Sequence, residues 1–332
     1  MIHLEAYFDL PKVGIDVAKS TFNTTVLINK EPHKKFSNKP KGFQELAAWL
    51  RKHGVEKAWI CMEPTNKYWR ELAKFLVAEG HFVSLVNPYT FSSYASGQRR
   101  AKGDRKDSYL LGTYCRDWKP RLWQPPSPDQ EKLVEISRAR AFLKKQLQAA
   151  ENHLSTLEFS AVTDCLQRHI LALQEQVSEL DKAEEQAIES SELGEERGRW
   201  LRVLGIGKET ANAVLADIGS LSRFDRYITV RRLAGMDSVR NQSGTSVNGK
   251  AHTSKRGIRR VRANLHMAAM SAMQSNPRFC AFAEHLRNRG KLDCVVVTAV
   301  ANKLLMTMWA LSRYQSEFDP NHRPEWLKQP AA

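Results

Sequence analysis

Val13-Gly14-Ile15-Asp16-Val17-Ala18-Lys19-Ser20 is the stretch on which the fold turns. Val13, Ile15 and Val17 alternate with smaller or polar residues, the period-two pattern of a strand. A second β-rich run follows over 21–29, with Phe22, Thr24, Thr25, Val26, Leu27 and Ile28. Asp16 therefore sits inside an apolar strand, where an unpaired carboxylate is costly to bury. Either a cation neutralises it or it lies at the solvent end of the strand. Three later carboxylates, Glu63, Asp104 and Asp107, point to the cation.

Working outward, the first 125 residues read as strands over 12–18, 21–29 and 34–37, helix 41–53, strand 57–62, helix 67–79, strand 82–86 and a helix from about 105. Hairpinned strands followed by alternating strands and helices imply a mixed sheet with helices on its faces. Asp16 lies on the first strand and Glu63 ends the strand Ala58-Trp59-Ile60-Cys61-Met62. Asp104 and Asp107 are three apart at a helix start and share a face. This order of acids looks like the ribonuclease-H-like fold in its RuvC-type variety. Phosphodiester cleavage requires charge to be neutralised on the attacking and leaving oxygens, which two Mg²⁺ ions about 4 Å apart can do. Four carboxylates can hold them, and no Cys or His cluster competes for the role. The sugar-kinase and actin fold shares the opening, but it needs a second Gly-rich phosphate loop that this chain lacks. Arg99, Arg100, Lys102, Arg105 and Lys106 interleave with the two aspartates and are placed to hold phosphates.

Charge divides the chain further. The 332 residues carry a net +15, which favours a polyanionic partner over an uncharged one. Residues 1–125 hold 21 Lys+Arg against 12 Asp+Glu, residues 126–197 hold 8 against 15, and residues 198–332 hold 22 against 9. No basic, then long apolar, segment opens the chain. The apolar stretch 294–311 contains Asn302 and Lys303, so it reads as a buried helix and no membrane is expected. The five cysteines form no C-x-x-C pair, and a reducing cytoplasm is the expected compartment.

In the acidic middle, Leu133, Ile136, Arg140, Leu143, Leu147, Ala150, Leu154 and Leu157 follow 3/4 spacing, and Leu166, Ile170, Leu173, Val177 and Leu180 resume it. Two long helices with coiled-coil seams follow, with a turn expected over 159–163 and only Arg140 interrupting the stripe. The expectation is a hairpin that also pairs with a second copy.

In the last block, Leu204-Gly205-Ile206-Gly207-Lys208 resembles a helix-hairpin-helix turn, in which backbone N–H groups and a helix N-terminus approach a phosphate. A polar loop around Gln242-Ser243-Gly244-Thr245-Ser246 then leads into Lys250, Lys255, Arg256, Arg259 and Arg260, the last of these heading a helix. A serine in such a loop is ordinarily a turn residue. The surrounding cations make Ser243 a candidate nucleophile, because attack on phosphorus needs its charge stabilised.

Together these residues resemble the DEDD recombinases of bacterial insertion sequences, the IS-one-ten group that includes Piv-like invertases. The resemblance rests on Gly14-Ile15-Asp16-Val17-Ala18-Lys19, Glu63-Pro64-Thr65, Val86-Asn87-Pro88, Lys102-Gly103-Asp104-Arg105-Lys106-Asp107, Gly205-Ile206-Gly207, Leu233-Ala234-Gly235-Met236, Gln242-Ser243-Gly244-Thr245-Ser246-Val247 and Ser254-Lys255-Arg256-Gly257. It implies a RuvC-like DEDD domain over 1–125, a coiled-coil domain over 126–195 and a transposase domain over 196–332. It implies Mg²⁺ on Asp16, Glu63, Asp104 and Asp107, and Ser243 as the nucleophile forming a covalent phosphoserine. It further implies donor and target DNA, a structured noncoding guide (bridge) RNA, and a dimer-to-tetramer assembly acting in the bacterial cytoplasm at the nucleoid. Asn66, Gly103 and Leu204 depart from the residues common in relatives, and none touches the acids or Ser243. A RuvC-like endonuclease hydrolysing DNA junctions is the alternative; it would need no serine and leave no protein–DNA link.

Overall fold

In the computed structural model, which describes residues 7–64, 66–98, 104–239, 242–243, 247–248 and 252–320, the opening alternation becomes strand β1 (Lys12–Val17). It pairs antiparallel with β2 (Thr21–Leu27), which pairs antiparallel with β3 (His33–Ser37). On its other side β1 runs parallel to β4 (Trp59–Met62), and β4 parallel to β5 (Phe82–Leu85), giving the order β3-β2-β1-β4-β5. Period-two alternation sends Val13, Ile15 and Val17 to one face. There they pack with Phe22, Val26 and the inward sides of α1 (Pro40–Lys52) and α2 (Arg70–Ala78). Trp59 and Cys61 point to the opposite face. They meet Phe91 of α3 (Pro88–Gly97) and Leu111 and Cys115 of α4 (Asp104–Trp118). The mixed sheet is thus covered on both faces, as hairpinned strands followed by crossovers require.

Helix α3 has no counterpart in the expected element order. Its start was nonetheless legible: Asn87 caps it by accepting from the Tyr89 N–H at 2.9 Å, and Pro88 occupies the first turn.

The chain divides at Pro126/Ser127 into two compact units. The second begins with α5 (Pro128–Leu154) and α6 (Ser160–Glu189), an antiparallel hairpin. The connection covers 155–159, and α6 starts at Ser160, earlier than the spacing predicts. Residues 160–163 lie on an exposed turn of helix, which needs no apolar stripe to form. Ala150, Ile170 and Leu173 pack within the far end of the hairpin, with Leu143, Leu147, Leu154 and Leu166 around them. Leu133 and Ile136 join a different core. That core is built by α7 (Leu193–Leu201), α8 (Lys208–Ile218), α9 (Tyr227–Leu233), α10 (Arg259–Ser275), α11 (Pro277–Asn288) and α12 (Asp293–Arg313). Trp200 anchors it, donating from Nε1 to the Met308 carbonyl at 3.0 Å and to Ser312 Oγ at 2.9 Å. By length and composition α12 could cross a membrane. Here Val296, Val300, Leu304, Leu305 and Met308 are buried in the protein core, which accounts for its apolarity.

The stretch expected as a polar loop is a nested β-hairpin. β6 (Ser238–Val239) pairs with β9 (His252–Thr253), and inside them β7 (Gln242–Ser243) pairs with β8 (Val247–Asn248). Two-residue ladders of mostly polar side chains carry no apolar alternation, so periodicity cannot reveal them.

Candidate functional site

The register places the acids. Asp16 lies opposite Asn23 on β2, and Ile15 lies opposite Met62 on the parallel β4. Asp16 and Glu63 are therefore the next residues on two adjacent parallel strands, both half-buried. Helix α4 brings the third acid. A Cβ on Gly14 would fall 1.8 Å from the Ser108 carbonyl oxygen and 2.4 Å from the Gly112 nitrogen. Only glycine at position 14 lets the helix lie this close to β1. Thr25 Oγ1, on the same sheet face, meets Ser108 Oγ at 2.7 Å and His33 Nδ1 at 3.0 Å. This clamp fixes the first turns of α4 against β1 and β2.

Asp107 precedes Ser108 and comes within electrostatic reach of Glu63. Burial, and secondarily the negative charge of Asp107, raise the Glu63 carboxyl above the ordinary carboxylate range. Asp104 opens α4; its side chain lies outside the described residues, as do Arg99, Arg100, Lys102 and Gly103. Among the described residues no three His, Cys, Asp or Glu side chains form a ready ligand group. The donor chemistry fits a hard divalent cation: oxygen ligands only, among them a half-buried carboxyl with a second carboxylate within electrostatic reach. Asp16, Glu63 and Asp107, with Asp104, would hold it.

Ser243 closes the inner ladder of the hairpin, opposite Val247. Its side chain, residues 244–246 and Lys250 lie outside the described residues. The base of the hairpin is well defined. Gly235, at φ +66°, packs backbone to backbone on Gly257, where an added Cβ would meet the Gly235 nitrogen at 2.2 Å. Ser254 N–H donates to the Asp237 carbonyl at 2.7 Å and Lys255 N–H to the Gly235 carbonyl at 3.1 Å. Leu233-Ala234-Gly235-Met236 and Ser254-Lys255-Arg256-Gly257 are thus two halves of one clasp. Lys255, Arg256 and Arg259 are exposed beside it. Arg260 turns inward, donating to Asp217 at 2.7 Å and to Ser137 at 2.9 Å. That engagement leaves it poorly placed to reach a phosphate.

Of the two turn glycines, Gly205 has φ +100° and faces α10, where a Cβ would lie 2.4 Å from that of Ala272. Its role is helix packing. Gly207 caps α8 and has open space where a side chain would be. Lys208 is largely exposed and pairs with Glu185 at 3.3 Å.

Arg140, the interruption in the apolar seam, is the centre of an ion network that sequence reading did not anticipate. It donates to Asp181 and to both oxygens of Glu209, and lies 3.6 Å from Glu184. Burial alone would lower its pKa, but the Glu209 and Asp181 hydrogen bonds hold it above its ordinary value. Conversely, the Arg140 hydrogen bonds hold Glu209 down at about 2. Asn23 and the groove beside α4 are further features that only cross-strand register discloses.

The chain is similar to known proteins. A DEDD transposase family model (IS110 type) matches residues 13–157, and the Transposase IS116/IS110/IS902 family matches residues 200–284. The pilin gene-inverting protein of Moraxella bovis is 30% identical over 315 residues, covering 92% of this chain and 97% of that protein. The Moraxella lacunata protein of the same description is equally similar over the same length. An uncharacterized insertion element IS110 protein of Streptomyces coelicolor is 25% identical over 109 residues, covering 33% of this chain and 27% of that protein.

Proposed function

The chain belongs to the IS110/IS116/IS902 family of transposases, and on that premise we propose that it is an RNA-guided DNA recombinase of an insertion sequence. The observation that carries the reading is the β1–β4 register, which makes Asp16 and Glu63 neighbours on adjacent parallel strands, together with the charge of Asp107 on α4 felt at Glu63. Such carboxylates suit Mg²⁺, which when bound would neutralise charge on the phosphodiester oxygens and lower the proton affinity of an attacking hydroxyl.

The attacking hydroxyl is that of Ser243. Its oxygen bonds to phosphorus, and one DNA oxygen leaves as a strand-end hydroxyl. The resulting phosphoserine conserves the ester bond, so a second DNA hydroxyl can attack it, reseal the strand and regenerate the serine without an external energy source. The hairpin suits this role: Ser243 closes its inner ladder opposite Val247, above a clasped base. Lys255, Arg256 and Arg259 beside that base suit flanking phosphates, and the open face of Gly207 at the start of α8 suits another. A net charge of +15 suits simultaneous binding of donor DNA, target DNA and a structured guide RNA.

The test is trapping with a nicked DNA substrate, followed by a denaturing gel and mass spectrometry. The wild-type chain should give a protein–DNA adduct on Ser243 in Mg²⁺ and none in EDTA. Ser243→Ala and Asp16→Asn should give neither adduct nor product while still binding nucleic acid, and Ser246→Ala should keep the adduct. An adduct on Ser246 or Ser254, or strand exchange by Ser243→Ala, would overturn the reading.

A further inference from the structure

The face of the first unit that carries Asp16 does not end at the acids. Asp16 is opposite Asn23, and Asn23 is in turn opposite Lys35 on the edge strand β3. Directly opposed residues point to the same side of a sheet. Lys35, Asn23 and Asp16 therefore form a row across three strands, with Lys35 about 10 Å from Asp16 at strand spacing. Asn23 is buried to 6% exposure, whereas Lys35 is exposed. Lys34, its neighbour, points to the other face, where it lies 5.0 Å over the Phe36 ring.

Two residues along β2 from Asn23, Thr25 holds both Ser108 of α4 and His33 of β3. A cavity of about 250 Å³ opens there, between α4 and the β2–β3 side of the sheet, lined by Thr25, Glu31, Arg105, Lys106, Tyr109 and Leu110. Arg105 and Tyr109 are one helical turn apart and share a flank of α4. Among the described residues Lys35, Arg105 and Lys106 have no carboxylate partner. Arginines of the second unit differ: buried Arg140 and Arg197 and half-buried Arg260 are each paired with carboxylates. Arg105 and Lys106 line the cavity, with Glu31 the one carboxylate among its described lining residues, and Lys35 stands on the same sheet face beside it; this excess of positive charge attracts an anion that the protein does not itself supply.

The lining narrows the choice of anion. Tyr109 offers an aromatic surface, and Glu31 can accept hydrogen bonds from amino groups but repels phosphate. The lining therefore offers groups for both a base and a phosphate. The volume is below the roughly 300 Å³ at which sites for larger ligands begin, which admits one ring system and excludes a stack of bases. We propose that this groove holds a single unstacked nucleotide of the DNA strand that crosses the acid site, its phosphate against Lys35 and Arg105 and its base against Tyr109. The proposal rests on the recombinase reading above and names the substrate contact next to its acids.

Lys34 and Lys35 provide an internal control, because they are adjacent and equally charged on opposite faces of one strand. Binding of the full-length chain to labelled single-stranded DNA is measured by fluorescence anisotropy in Ca²⁺. Lys35→Glu should raise Kd by about tenfold or more and Lys34→Glu by less than about threefold, and Lys35→Ala should reduce the salt slope by about one. Abasic sites are then scanned along the strand. The wild-type chain should lose affinity at one position next to the cleaved phosphate, Tyr109→Phe should keep that dependence, and Tyr109→Ala should lose it. Equal effects of the Lys34 and Lys35 changes, no abasic-sensitive position, or sensitivity to changes in guide RNA and not in DNA would overturn the groove. Those failures leave the Ser243 adduct intact, whereas failure of the recombinase reading removes the adduct itself.

Discussion

Glu63 shows most directly how single residues report on this site. Its carboxyl is raised above the ordinary value of 4.5 by burial and then by Asp107. The folded chain thus binds that proton more tightly than the unfolded one. Its stabilising contribution is complete below about 4.5 and is lost as pH rises through the higher folded value. In EDTA the melting temperature of the wild-type chain should therefore fall relative to that of Glu63→Gln as pH rises from 4.5 to 7. Mg²⁺ should recover the difference in the wild-type chain and have less effect on the variant. Parallel thermal melts of the two proteins across this range, with and without Mg²⁺, provide the measurement; identical pH profiles would show that Glu63 is not part of a carboxylate cluster. The identity of Glu63 was readable from its place at a strand end. Its coupling to Asp107 was not, because it depends on how closely α4 settles on Gly14.

At the scale of elements, Arg140 explains why an otherwise regular apolar stripe tolerates a charge. On one side of it, Leu133 and Ile136 pack with the C-terminal core; on the other, Ala150, Ile170 and Leu173 pack inside the hairpin. At the transition Glu184 is only 1% exposed and takes a hydrogen bond from Asn212 at 2.9 Å, with Arg140 as its nearby counter-charge. Removing that charge leaves a buried carboxylate uncompensated, so Arg140→Met should cost about 3–5 kcal/mol in guanidinium unfolding of the second unit. Arg140→Lys should cost less, because it keeps the charge and loses only the fork geometry. Acid acts in the same direction: Glu209 is held at about 2 against an ordinary 4.5, so its share of stability is present above 4.5 and is lost as pH falls toward 2. An Arg140→Met midpoint equal to wild type would mean the network contributes nothing net. The two hairpin helices were legible from 3/4 spacing, whereas α3 was missed although Asn87-Pro88 marks its start. The hairpin carrying Ser243 was not legible, since its pairing is set by the backbone contact of Gly235 with Gly257 and not by side-chain alternation.

For the whole molecule, exposed apolar residues mark where the proposed second copy would pack. The seam residues Ile170 and Leu173 are covered within their own hairpin, so they cannot also face another chain. Phe142 and Leu171, by contrast, are 61% and 64% exposed on the same two helices. Such large apolar residues on a long hairpin are candidates for an interface. Phe142→Ser with Leu171→Ser should lower the particle mass in light scattering while leaving the helical circular dichroism unchanged. Leu173→Lys should reduce the helical signal itself, because it places a charge inside the hairpin. An unchanged mass for the double variant would locate any self-association elsewhere. The basic–acidic–basic division of charge agrees with this picture: the hairpin, poor in net positive charge, suits contacts between protein chains better than contacts with nucleic acid.

The five strands of the first unit, most helices and the charge division were legible in the sequence, and Asp16, Glu63, Asp104 and Asp107 stood out there as candidates, because periodicity and charge are local properties of a chain. Family membership followed from the same motifs. Tertiary structure decided what those residues do to one another. It set Asp16 beside Glu63 through the β1–β4 register and brought Asp107 within reach by pressing α4 onto Gly14. It separated Gly205, packed on Ala272, from Gly207, open to its surroundings. It turned Arg260 inward and left Lys35 on the acid-bearing face. Each of these outcomes depends on contacts between residues far apart in the chain, and no local pattern carries that information.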